Sequence, residues 1–498
     1  MRHKQQIFVT LLPPLLFAAA MLLFFPFRYR FEFDPDEGVN LIKALMEYRG
    51  FDLYSQIWSD QPPVFTALLS AVISIAGTNV NAGRLLVMGF SIVILIAAAD
   101  YLYSFWGVWH SLFGTILIIT LPYYTRLSVS VMIGLPSLAF AMMAFVSLTR
   151  WHQEQRVFWL IVSGIFLGLS AMIKLWTLFL APLFIVGIFV QETDLFSGRM
   201  NIREGVKPIV LWALGFGLVT GSVLLFMVRL PYITQLVGVH LSAGESEVLQ
   251  SIAERNTLNS YLDNSIPLFI LAFIGVVLSI RKKIWNALYL ISWALMAYIL
   301  LHLTVPSWYH HQLLITIPAA ILASIALGEG IGGLIGRIHN SHIRTTNMVL
   351  STVILIVFAI LAYQRFPFVI REFGLDLPNF FGPYEASDQP DYEIVALIRK
   401  YAKNTHILFT DRPMYAFRSG ASIDPYLAVI TEKRYATGKP SQEEILSLLE
   451  ADKPEQIILS RFDIPAAYEY MEIRNFVRVD NSPLARHYIL REIYEAPE

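Results

Sequence analysis

The sequence predicts a polytopic α-helical membrane protein with about eleven transmembrane helices, followed by a small soluble α/β domain. Three observations predict it. Of 498 residues, 56% are hydrophobic and only 15% are charged, with a mean hydropathy of +0.56, which is more apolar surface than a soluble domain of this length can hide. Runs long enough to cross a bilayer as helices recur along 1–363. Beyond about residue 364 the chain turns polar and is interrupted by Pro378, Pro383 and Pro390. A net charge of −1 gives no argument for a nucleic-acid partner, and the absence of cysteine excludes disulfides, thiolate nucleophiles and Cys-ligated metals.

The first apolar run, 7–27, follows Arg2, His3 and Lys4 and reads as a retained anchor, since it is long and no small-x-small cleavage site comes after it. The polar loop 28–83 is partly helical. From Gly38 to Tyr48, Val39, Ile42, Leu45 and Met46 fall on one side and Asn40, Lys43 and Glu47 on the other, the pattern of a helix lying along a membrane surface. Further apolar runs lie at 84–105, 111–127, 131–149, 157–173, 175–190, 208–228, 265–280, 284–304, 311–335 and 347–363.

Residues 62–77 are the ambiguous segment, because Pro62-Pro63 opens a stretch of only about fifteen residues and a crossing there would invert everything downstream. If 62–77 does not cross and the N-terminus is cytoplasmic, then Arg150/Arg156, Arg199/Arg203/Lys207, Arg281-Lys282-Lys283 and Arg337/Arg344 all face the cytoplasm, as the positive-inside rule prefers. The segment therefore reads as a juxtamembrane or re-entrant helix packed on protein. The expected location is the plasma membrane, multi-pass, with the N-terminus cytoplasmic and 364–498 extracytoplasmic. Loop 28–83, the turn around Arg126, Lys174, the loop 230–264 and the turn Pro306-Ser307-Trp308-Tyr309-His310-His311 then share the outer face with that tail. Asp100, near the opposite end of its span, reads as structural.

In the tail, Asp388 is placed to cap a helix from Pro390 to Ala402, and His406 to Thr410 reads as a strand. Ser441 with Glu444 forms a capping box for a helix to Glu450, and Gln456 to Ser460 and His487 to Arg491 read as further strands. No phosphate-loop, dinucleotide or metal motif occurs there.

Glu32, Asp34, Asp36 and Glu37 crowd into six residues where the chain leaves the first span. Each would cost about 2.5–3.5 kcal/mol at the bilayer centre, so the cluster belongs at an interface or in a polar cavity. One such acid can accept a proton from an acceptor hydroxyl that attacks a lipid-borne group. Its neighbour can orient the acceptor, raise the pKa of the base by repulsion, or share a divalent cation with it through oxygen ligands. An exposed acidic loop that helps set topology would carry the same residues.

Asp36-Glu37-Gly38 before an amphipathic helix, then Gly50-x-x-x-Tyr54, Asp60-Gln61-Pro62-Pro63 and a short apolar helix ending in Gly77, resembles the first external loop of polyprenyl-phosphate-dependent membrane glycosyltransferases. It is similar in particular to glycosyltransferase family 39, which holds the protein O-mannosyltransferases and the lipid A aminoarabinose transferase. Arg84-Leu85-Leu86, Leu135-Pro136-Ser137-Leu138, Gly168-Leu169 with Lys174, and His311 seven residues before Pro318 follow in the matching order. The resemblance covers most of 1–363 and implies a GT-C fold. It also implies inverting transfer of a sugar from a polyprenyl phosphate to a lipid, glycan or protein acceptor outside the cytoplasm. Under it, Asp36 is the catalytic base and Glu37 its neighbour. Lys174, His311, His310, Arg126 and Arg84 are candidates for the donor phosphate, and Asp60 and Asp34 for acceptor or metal. Two positions depart from the family: Gly134 stands where an acid is common in the second external loop, and Gln61 replaces the lysine of the lipid A branch. A transporter of lipid-linked saccharide and a non-catalytic assembly subunit are the competing readings.

Overall fold

In hydrocarbon the backbone amides of an apolar run are satisfied only within a helix, and a helix occupies each of the eleven runs. The computed structural model describes residues 2–193, 202–227, 234–304, 306–339, 345–372, 389–402, 407–480 and 485–495. Length and composition single out six helices able to cross a membrane: Lys4–Phe24, Val80–Trp106, Gly205–Met227, Glu247–Arg281, Tyr309–Gly332 and Met348–Ile370. The other runs form the shorter apolar helices Val108–Ile119, Val157–Ala171, Leu175–Gln191 and Ala287–His302, together with Gly134–Glu154, whose last turn is polar.

The first four helices are α1 (Arg2–Phe24), α2 (Pro35–Tyr48), α3 (Val64–Ala76) and α4 (Val80–Trp106), and of these α2 forms the floor of the site. At 1.5 Å per residue α3 is about 20 Å long, short of a hydrocarbon core of about 30 Å, and it packs on α2 and α4. The acidic stretch is the start of α2, three residues earlier than the amphipathic pattern alone indicates. Asp34 is the N-cap and accepts the Asp36 amide at 3.0 Å. Pro35 brings a preset φ to the first turn, and Asp36 and Glu37 follow where the helix dipole favours negative charge.

A second expectation for this helix fails: α2 does not lie on a membrane surface. Every residue from Glu37 to Met46 is buried. Its apolar side joins the main core, Asn40 donates to the Val131 carbonyl at 3.0 Å, and the C-terminal helix Met414–Ser419 lies across it. Gly38 permits that crossing, since a Cβ there would stand 2.7 Å from the Met414 backbone nitrogen.

One buried ion pair ties the loop to the bundle. Arg84 presents Nε to Glu37 Oε1 and Nη2 to Oε2, both at 2.8 Å, with both side chains fully buried. Glu37 also accepts the amides of Phe33 at 3.0 Å and Val131 at 3.1 Å, while Arg84 donates to the carbonyls of Phe27, Arg30 and Phe31. At the other end of α4, Asp100 meets Arg150 at 2.7 Å and Gln6 at 3.0 Å, as a structural acid should.

The C-terminal region holds a four-stranded sheet in the order β1-β2-β4-β3, with β1 (Leu408–Thr410) parallel to β2 (Gln456–Leu459), and β4 (Arg486–Leu490) antiparallel to both β2 and β3 (Phe476–Arg478). The Ser441/Glu444 capping box opens the helix Gln442–Asp452, and the expected later strands match β2 and β4. The cap at Asp388 and the strand start at His406 lie outside the described residues, as do Pro378 and Pro383. The helix Thr345–Glu372 runs through position 364, so the change in composition there marks the polar end of a helix. Part of this region, including Ile394, Met414 and Phe417, shares one apolar core with the helical bundle, while a second core lies under the sheet. Phe31, fully buried in the shared core, is the peg between the helical bundle and the C-terminal region. Arg412 and Arg418 lie over its ring at 4.9 and 5.2 Å, Arg412 pairs with Glu32 and, at 2.8 Å, with Asp391, and Arg418 donates to the Arg30 and Phe31 carbonyls.

Glu37→Gln leaves Arg84 charged and unpaired in the core, and a broken buried pair costs about 3–5 kcal/mol. The expected result is a clear fall in the thermal midpoint of the solubilised protein, with the double variant E37M/R84M recovering part of it; an unchanged E37Q midpoint would contradict the role of the pair. Gly38→Ala is expected to loosen the C-terminal region from α2, seen as faster cleavage of that region in limited proteolysis.

Candidate active site

Above α2 lies a cavity of about 580 Å³, and six of the residues singled out from sequence meet in its wall: Asp34, Asp36, Asp60, Lys174, His310 and His311. Helical spacing explains the floor. Asp36, Asn40 and Lys43 stand at i, i+4 and i+7 of α2 and all line the cavity. Lys174 occupies the turn where the helix Val157–Ala171 ends and the 3-10 turn Leu175–Phe179 begins, in extended conformation. Its ammonium sits 5.4 Å from the Trp176 ring centroid, and Trp176 in turn packs on His311 at 4.4 Å.

The acids divide by their bonds. Asp34 is fully engaged, capping α2 with one oxygen and accepting the Tyr309 hydroxyl at 2.8 Å with the other. The Asp36 carboxylate accepts no hydrogen bond from any described residue. Burial raises its pKa to about 6, helped by the neighbouring charges of Asp34 and Asp60 and opposed by Arg461 and Lys43. Burial likewise lowers Lys174 to about 8, reinforced by Lys433 and opposed by Asp36 and Asp60. His311 Nδ1 accepts the Trp308 amide at 3.2 Å, so its other ring nitrogen carries the proton and is a donor. The His310 ring reaches it edge-on at 4.4 Å.

Glu37 and Arg84 are not at this site. Both are spent on each other and on loop amides and carbonyls, and neither reaches the cavity. A carboxylate with both oxygens in such bonds has no lone pair to offer an acceptor, and a fully buried guanidinium cannot meet a phosphate. Arg126 stands behind the wall: it donates to the Phe33 carbonyl and lies 5.8 Å from the Tyr309 ring. Among the described residues no group of three or more His or carboxylate side chains stands close enough to hold a metal ion. Gly134 does line the cavity, and a Cβ there would meet nothing within 4 Å. The place of the missing acid is open space.

Sequence reading missed Lys43, His240, Tyr309, Lys433 and Arg461, all in the cavity wall. For Lys43 the signal was present, seven residues from Asp36 on the same helix face. The C-terminal pair carries no such signal. Arg461 is set by a loop whose three successive amides, Ser460, Arg461 and Phe462, all donate to the Asp411 carboxylate at 2.7–3.1 Å.

Residues 60–231 match the family model described as dolichyl-phosphate-mannose-protein mannosyltransferase. No curated protein sequence matches the chain. Among solved structures, ArnT from Cupriavidus metallidurans bound to undecaprenyl phosphate is similar at a TM-score of 0.61 and 14% identity, over 97% of this chain and 99% of that one. The oligosaccharyltransferase AglB from Archaeoglobus fulgidus, in complex with an inhibitory peptide and a dolichol-phosphate, is similar at a TM-score of 0.58 and 11% identity, over 92% of this chain and 69% of that one. At such identities the likeness is one of fold. The chain has the GT-C fold and resembles the polyprenyl-phosphate-dependent membrane glycosyltransferases of family 39, as the order of motifs in its first loop implies.

Proposed function

We propose that this chain is an inverting glycosyltransferase that moves a sugar from a polyprenyl-phosphate donor to an acceptor hydroxyl or amine on the extracytoplasmic face of the membrane. One observation carries the reading: an unbonded carboxylate, Asp36, shares a cavity with Lys174, His310 and His311. That is a base facing a set of cationic and hydrogen-bonding groups. A glycosidase instead sets two carboxyl groups on either side of the bond it breaks.

In the step this supports, Asp36 takes the proton from the acceptor as its oxygen or nitrogen bonds to the anomeric carbon. The bond from that carbon to the phosphate oxygen breaks, and its electron pair leaves with the lipid phosphate. A phosphate departs at neutral pH without a proton, so the site needs charge stabilisation in place of a general acid. Lys174 and the donor nitrogen of His311 are suited to that role. Attack from the side opposite the phosphate inverts the anomeric centre. The undecaprenyl phosphate and dolichol-phosphate held by the two neighbours of like fold support a lipid phosphate as the donor's carrier.

Orientation follows from charge. Arg84 lies just beneath the cavity, and Asp100, with its partner Arg150, lies sixteen residues on along α4, about 24 Å away. The basic residues Arg150, Lys282 and Lys283 read as cytoplasmic, which supports a cavity on the outer face, with eleven crossings and an extracytoplasmic C-terminal domain.

Asp36→Asn is expected to abolish transfer of labelled sugar in proteoliposomes while leaving polyprenyl-phosphate binding and the thermal midpoint unchanged; full transfer by D36N would remove the base. The pH profile follows from the two shifted groups. Asp36 must be ionised, so kcat/KM rises through about pH 6, and Lys174 must be protonated, so it falls above about pH 8. Asp34→Asn removes a repelling charge and should move the acidic limb to lower pH; an upward shift or none would contradict the coupling.

A further inference from the structure

The C-terminal region lends the cavity a lysine that the base-and-phosphate scheme leaves without a task. Lys433, on the short helix Glu432–Ala436, is 9% exposed and lines the cavity. Among the described residues no carboxylate lies within ion-pair distance of it. Its side-chain hydrogen bond runs to His240 Nδ1 at 3.2 Å. An ammonium can only donate, so Nδ1 is the acceptor and the imidazole carries its proton on Nε2, 3.4 Å from the Asp60 carbonyl. A neutral histidine, itself anchored to the first loop, thus aims the ammonium and leaves two of its three N–H groups for another partner.

Taking a cation out of water is costly unless an opposite charge meets it. Here the hydrogen-bond acceptor is uncharged, and the carboxylates of Asp60 and Asp36 favour the ammonium only through space, so no counter-charge from the described residues is in contact with it, which leaves that contact to a ligand. The position says which ligand. Lys433 and Lys174 enter the same cavity from different parts of the chain, and Lys433 is the charged group that most strongly opposes protonation of Lys174. Two ammonium groups that repel each other become a clamp when an anion lies between them.

We propose that Lys433 is a second cation of the donor-phosphate site, closing on the same phosphate ester as Lys174 from the C-terminal side, with His240 as its positioning residue. This rests on the donor reading above. It makes the C-terminal region part of the donor site.

The test is binding of sugar-free polyprenyl monophosphate to the full-length protein in nanodiscs, read by the fluorescence of Trp176 and Trp308 in the cavity wall. Lys433→Gln should weaken binding about tenfold or more, the loss expected when a hydrogen bond to a charged group is removed. Lys433→Arg keeps the charge and should retain most of the affinity. K433Q binding as tightly as the wild type overturns the proposal, as does K433R binding as weakly as K433Q, since shape alone would then be at stake. If the wild type binds no polyprenyl phosphate, the donor reading falls and inorganic phosphate decides the anion site. A phosphate-induced rise in thermal midpoint that K433Q loses sustains that site; no rise in the wild type overturns it.

Discussion

The buried pair between Glu37 and Arg84 is the constraint on which the site depends. Neither residue touches the cavity, yet between them they gather the carbonyls of Phe27, Arg30 and Phe31 and the amides of Phe33 and Val131 around one point. A charge pair in an apolar interior is tolerable only when its remaining donors and acceptors are also met, and this one is met from two stretches of chain, residues 27–33 and residue 131. The arrangement fixes where α2 begins. It thereby fixes the direction of Asp36, one residue earlier, whose carboxylate accepts no hydrogen bond from any described residue.

Function is split between neighbours that look alike on paper. Asp34, Asp36 and Glu37 fall within one turn and share one chemistry, but the fold gives them three roles: a cap held by Tyr309, an unbonded acid in a cavity, and a sealed anchor. What separates them is the direction of each side chain around the helix. A turn of 3.6 residues turns adjacent positions by about 100°, enough to send Asp36 into the cavity and Glu37 into the core.

That division marks what could be read from sequence. Membrane-length runs, the family motifs of the first loop and the capping box at Ser441 follow from local pattern, and each has a helix or strand where expected. Convergence of Asp36, Lys174 and the two histidines followed once topology put them on one face. The identity of the partner across the fold did not follow. Arg84 is a phosphate candidate only under the resemblance, and a lone arginine at the head of a span gives no sign that a carboxylate 47 residues earlier will take it. The burial of α2 was missed for the same reason, since the helix that covers it comes from residues 414–419. Lys433 and Arg461 reach the cavity only through long-range packing.

The peg at Phe31 carries a consequence for the order of events in making the protein. Glu32 meets Arg412 across 380 residues of sequence, and ribosomes add about 5–20 residues per second, so the first loop waits about 20–80 s for its closing partner. Throughout that interval the carboxylates beside Phe31 stand at the membrane without their guanidinium cover. A chain cut short before Arg412 would insert its early helices and still possess Asp36 and Lys174, but not a sealed cavity. The active site is therefore assembled only after Arg412, Lys433 and Arg461 have been made.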